Sequence, residues 1–75
     1  MRKPRQYTFI CLNNTGYKAS LEKRKIYIAL ADDEAAKHGL VRIVDESGED
    51  YLYPLKLFAQ VDLPPRVQRA VLMVA

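Results

Sequence analysis

Between residues 19 and 63 the sequence ASLEKRKIYIALADDEAAKHGLVRIVDESGEDYLYPLKLFAQVDL alternates strand-like runs with turn-forming clusters. The spacing is that of a small barrel, and it constrains the fold more than any other feature of the chain. With 75 residues there is room for one domain, which buries only about 60% of the surface its unfolded chain exposes. The core must therefore be thin.

The segments follow one another with recognisable punctuation. YTFICL (7–12) is rich in aromatic and β-branched residues and apolar on both faces, as in a strand buried on two sides. Asn13, Asn14, Thr15 and Gly16 then turn the chain. KIYIAL (25–30) reads as the second strand, with Ile26 and Ile28 expected inward and Tyr27 on the other face. ADDEAAKHG carries the marks of a short helical turn over 33–38: Asp32 as N-cap, Asp33 and Glu34 in the first turn, Lys37 and His38 in the last, and Gly39 as left-handed stop. LVRIV (40–44) re-enters the sheet, Asp45 to Gly48 make a hairpin turn, and 50–53 form the fourth strand, ended by Pro54. A three-residue turn (55–57) precedes a last strand (58–63), closed by Pro64 and Pro65.

Alternation predicts that Phe58, Val61, Ile26, Ile28, Val41, Ile43 and Tyr53 form the centre of one core, with Tyr51 on the face of Tyr53 but nearer the edge. The chain then divides into a flexible basic arm (1–6), a mainly all-β barrel of about five strands (7–63) and a C-terminal helix (64–75). That helix places Val67, Ala70, Val71 and Val74 at helical spacing, a stripe expected to pack on the barrel or on a partner.

The order of pieces resembles a Src homology 3-type barrel over about 45 residues. ASLEKRKIYIAL is similar to the segment leading into the second strand, GLVRIV and EDYLYP to the central hairpin, and YPLKLFAQV to the short turn and closing strand. The chain also looks like small bacterial proteins of unassigned activity that carry a YLYP segment. The resemblance implies a barrel and a binding module. Its peptide-binding members dock proline-rich ligands on an aromatic groove, but this chain has no tryptophan. Leu40 and Leu57 stand where that groove has aromatics, and Pro54 remains with some tyrosines, so proline-rich recognition is disfavoured.

Functional classes narrow by exclusion. A single cysteine, Cys11, admits no internal disulfide and points to a reducing cytoplasm; set in an apolar strand, it reads as a core residue rather than a nucleophile. The apolar run near the N-terminus is too short for a signal peptide or membrane span. His38 lies four residues after Glu34, a pair better suited to helix-end charge compensation than to a metal site, and no nucleophile motif adjoins it. No catalytic residue, cofactor or metal is therefore expected, and an enzyme is not.

Charge is unevenly placed. Residues 1–25 hold seven Lys or Arg against one Glu (+6), residues 26–62 hold three basic against eight acidic residues (−5), and Arg66 and Arg69 bring the total to +3. The leading expectation is a non-catalytic protein-interaction module, monomeric or weakly dimeric and without membrane contact. The alternative is nucleic-acid binding through a basic patch of Arg2, Lys3, Arg5, Lys23, Arg24 and Lys25, with Tyr7 and Tyr27 interleaved. Tyr17, Tyr27, Tyr51 and Tyr53 are candidates for a binding face, though strand spacing requires some of them in the core.

Overall fold

The computed structural model describes residues 5–45 and 47–74, with side chains in the last helix described as far as Val71. The β-branched and aromatic runs become five strands: β1 (Gln6–Cys11), β2 (Ile26–Leu30), β3 (Leu40–Val44), β4 (Asp50–Pro54) and β5 (Phe58–Gln60). Helix α1 (Asp33–Lys37) joins β2 to β3, a 3₁₀ turn (Leu55–Leu57) joins β4 to β5, and α2 (Pro65–Val74) ends the chain. All pairings are antiparallel, in the sheet order β4-β3-β2-β1-β5. The last strand thus returns beside the first, and among the described residues β4 and β5 remain as unjoined edges, so the sheet is not closed. β5 ends earlier than the expected strand over 58–63; the Val61 amide makes one more ladder bond, to the Thr8 carbonyl at 2.9 Å.

Register decides which residues meet. Phe9 pairs with Tyr27, Cys11 with Phe58, Ala29 with Ile43 and Val41 with Tyr53, which puts these side chains on one face. With Leu21 and Leu57 they form the core cluster, Phe9 packing against it. Phe58, Val41, Ile43 and Tyr53 are there as expected. Ile26 and Val61 are not, and Ile28 is buried but lies outside that cluster. Thr8 pairs with Ile28 and Ile28 with Val44, so β2 turns Tyr27 and Ala29 into the main core and Ile26 and Ile28 to the opposite face. Val61 extends β5 on that opposite face, and its carbonyl accepts the Thr8 hydroxyl at 2.8 Å. The misassignment has a physical source: both parities of IYIAL are apolar, and only pairing with β1 fixes the inward one. Ile28 and Thr8 are nonetheless buried, so both faces of the central strands are covered.

Helix α1 forms as its sequence prescribes. The Asp32 carboxylate accepts the Ala35 amide at 3.0 Å, Ala35 is buried, and Gly39 leaves the helix at φ 70°. The same carboxylate takes the Arg42 guanidinium at 2.8 Å, and Arg42 reaches on to Asp50 at 2.7 Å, tying α1 to β3 and β4. The Ala35 amide first and Arg42 second hold the Asp32 carboxyl below its ordinary 3.8. Stability from Asp32 is therefore complete above that value and lost as pH falls through the lower, folded one. Asp32→Asn keeps a capping side chain but removes the charge. Its melting temperature should fall less than the parent's between about pH 7 and pH 2.5, as followed by circular dichroism, and equal falls would show that Asp32 carries none of the acid sensitivity.

Helix α2 opens on Pro65, and the Gln68 amide bonds the Pro64 carbonyl at 2.9 Å. Among the described residues no helix is long and apolar enough to cross a membrane.

Candidate interaction surface

The connection over 12–25 is built by its own polar side chains and then pinned by apolar ones. Asn13 Oδ1 accepts the Thr15 amide and hydroxyl, Asn14 Nδ2 donates to the Leu21 carbonyl at 2.9 Å, and the Leu21 amide donates to the Tyr17 carbonyl at 2.8 Å. These bonds aim Leu21 inward, where it is 2% exposed, and lay the Tyr17 ring edge-on to Tyr53 with centroids 5.2 Å apart. The Tyr27 hydroxyl accepts the Glu22 amide at 2.9 Å and fastens the far end.

Where this connection rejoins β2, the ladder carries an extra residue. The Arg24 amide donates to the Cys11 carbonyl at 2.7 Å while the Cys11 amide donates to the Lys25 carbonyl at 3.0 Å, so Arg24 and Lys25 together oppose Cys11. This is a β-bulge, and its first residue sits at φ 68°, a left-handed position that glycine normally fills. Relief of that strain outweighs the extra unfolded-state freedom of glycine, so Arg24→Gly should stabilise the chain by up to about 1 kcal/mol in urea melts. A loss of stability would show that the Arg24 side chain makes contacts worth more than the strain.

Of the expected basic patch, the described residues fall into two groups. Arg2 and Lys3 lie outside the described residues. Arg5 precedes β1, its carbonyl accepting the Ala31 amide at 2.7 Å, whereas Lys23, Arg24 and Lys25 sit beyond the other end of that strand. Six extended residues separate the two groups by roughly 20 Å. Lys25 pairs with Glu22 at 3.7 Å and stands over the Tyr27 ring at 5.3 Å, and Tyr27 is buried, so its ring offers no open stacking surface. Lys18, Glu22, Lys25, Asp45 and Ser47 border an open cleft of about 420 Å³ between this connection and the β3–β4 turn. Its charges are of both signs.

A different surface gathers apolar groups. Leu12 is 56% exposed and its amide bonds the Leu57 carbonyl at 2.8 Å, which sets it beside the 3₁₀ turn. Leu55 opens that turn and is exposed, and Tyr17, packed on Tyr53 two residues before the turn, is also exposed. Three large exposed apolar side chains thus belong to segments that meet near this turn. Of these only Tyr17 was a candidate from sequence; Leu12 looked like a strand residue and Leu55 like part of a tight turn. On α2, Val67 and Ala70 are exposed and Val71 is half-buried; the Val74 side chain lies outside the description.

The remaining candidates have structural partners. Cys11 is fully buried, and burial pushes its thiol up. Tyr53 is core, while Tyr51 is exposed and donates to the Glu49 carboxylate, which pushes its phenol up to about 12. His38 Nε2 lies 3.6 Å from Glu34, and among the described residues no three His, Cys, Asp or Glu side chains gather as a metal site would require. No protein-family model, curated protein or solved structure matches the chain.

Proposed function

We propose that the chain is a non-catalytic protein-interaction module on a Src homology 3-like barrel, whose partner lands on the apolar surface around the 3₁₀ turn. The observation that carries this reading is the exposure of Leu12, Tyr17 and Leu55 in segments that meet near this turn, with the Leu12 amide bonded to the Leu57 carbonyl and the Tyr17 ring packed on Tyr53. Exposed apolar side chains clustered on one surface are what interfaces use. The barrel part of the reading draws support from the return of β5 to β1 and from the 3₁₀ turn between β4 and β5, the order of pieces in the resemblance. Leu57 is buried and brings no ring to the surface, which favours an aliphatic landing site over a proline-rich groove. A lone unpaired thiol suits a reducing cytoplasm.

Nucleic-acid binding is the second reading, supported by the turn at Lys23 and Arg24, which keeps a basic side chain where the backbone favours glycine. Capture from native lysate by the immobilised chain, with and without nuclease, separates the two. A partner retained after nuclease and lost from Leu12→Ser/Leu55→Ser supports the protein module. Capture abolished by nuclease supports the second reading, and capture indifferent to the double substitution moves the site elsewhere.

A further inference from the structure

β4 is an open sheet edge, and its hydrogen-bonding row is fixed by two bonds just beyond its ends. The Asp45 amide donates to the Glu49 carbonyl and the Leu55 amide to the Gly39 carbonyl, each at 2.8 Å. Bonded and non-bonded pairs alternate along an antiparallel ladder, so Tyr51 and Tyr53 exchange bonds with Ile43 and Val41. The amides and carbonyls of Asp50 and Leu52, and the Pro54 carbonyl, therefore face away from β3. Among the described residues no other strand pairs with β4.

Edges of this kind are usually blunted by charge, proline or a covering segment. Here Pro54 stands only at the end, the strand has no lysine, and its one acid, Asp50, is held by Arg42 at 2.7 Å. Two large apolar side chains stand on the edge, Tyr51 at 45% and Leu52 at 42% exposure.

We propose that β4 is a self-association edge, and that its occupant is the β4 of a second copy, antiparallel about a two-fold axis through Leu52. Each Leu52 amide then donates to the Leu52 carbonyl of the other copy, and each Asp50 amide to the other Pro54 carbonyl. Four hydrogen bonds form, and the missing proline amide costs only the Asp50 carbonyl, which stays at the wet rim. The two Leu52 side chains meet on one face, and on the opposite face Tyr51 of each copy comes to the register position of the other's Tyr53, which Tyr17 already covers. Charge supports the antiparallel two-fold arrangement: Glu49, the residue before the strand, comes to the end after which the second copy carries Lys56. This edge adjoins the surface around Leu12 and Leu55 at Leu55 itself, but its bonds are made by Asp50, Leu52 and Pro54, and the proposal does not depend on a partner binding there.

A five-residue edge buries less than the ~800 Å² per partner of a standard interface, so association is weak and concentration-dependent. Sedimentation equilibrium of the full chain should show the mass rising toward twice the monomer over roughly 10 μM to 1 mM. Over the same range the Asp50 and Leu52 amides should slow in hydrogen exchange by about tenfold, with Tyr51 and Tyr53 unchanged. Leu52→Pro removes an amide that β3 does not use, and Leu52→Lys sets like charges across the axis; both should stay monomeric with the parent's circular dichroism. If the proline variant fails to fold, the lysine variant and the exchange measurement decide. A chain that stays monomeric to about 1 mM overturns the proposal. So do dimers indifferent to both substitutions, which would move the contact to another surface such as the exposed Val67 and Ala70 of α2.

Discussion

Phe58→Ala is expected to cost about 3–5 kcal/mol, most of the stability a domain this small can hold. Three features converge on that ring. It is buried, edge-on to Tyr27 with centroids 6.1 Å apart and tilted against Tyr53 of β4 at 6.3 Å. It lies across the ladder from fully buried Cys11, so its loss opens a void against the core. β5 has only three residues, and Phe58 is the one that the core holds; its amide also closes the 3₁₀ turn by bonding the Leu55 carbonyl. Loss of the ring therefore loosens the pairing of last strand with first. Urea or thermal melts followed by far-ultraviolet circular dichroism measure this. A variant melting within a few degrees of the parent would place the centre of the core away from Phe58.

Leu21→Ala should cost about 2–5 kcal/mol, a magnitude normally reserved for residues within regular structure. Leu21 belongs to no strand or helix, yet it is among the most completely buried large side chains in the molecule. Its backbone is held at both polar groups, by the Tyr17 carbonyl and the Asn14 side chain, so the main chain cannot readily sink to fill the void. The damage should be local before it is global. Limited proteolysis within residues 13–25 should appear at denaturant concentrations that leave the β3–β4 hairpin intact, and unchanged cleavage there would show that this connection is held by its polar bonds alone.

The contrast between these residues shows where sequence reading stops. Element positions were legible because caps and breakers are local: Asp32, Gly39, Pro54 and Pro65 each act through their own or adjacent peptide groups. Phe58 was legible as core because its strand has one apolar aromatic at its start. Ile26 and Ile28 were not, because Tyr27 and Ala29 serve equally well and only the pairing of Phe9 with Tyr27 chooses. Leu21 was hidden among turn and charged residues, its burial set by hydrogen bonds from residues four and seven positions earlier. The basic residues looked like one patch because the chain returns on itself between them; the length of β1 holds Arg5 apart from Lys23. The apolar surface around Leu55 depends on Leu12 meeting Leu57 across a separation no periodicity reports.

The burial of Cys11 gives the molecule a built-in clock. It is the chain's single thiol, and it lies in a strand paired on both sides, to β2 and to β5. A thiol reagent can reach it only in the interval when that double pairing opens, and the elevated thiol pKa leaves little reactive thiolate while it is shut. When reclosing is faster than labelling, the labelling rate relative to an unstructured peptide is the open fraction itself, and each tenfold slowing corresponds to about 1.4 kcal/mol. The cost of opening the sheet can thus be timed in plain buffer, without denaturant, heat or any engineered reporter.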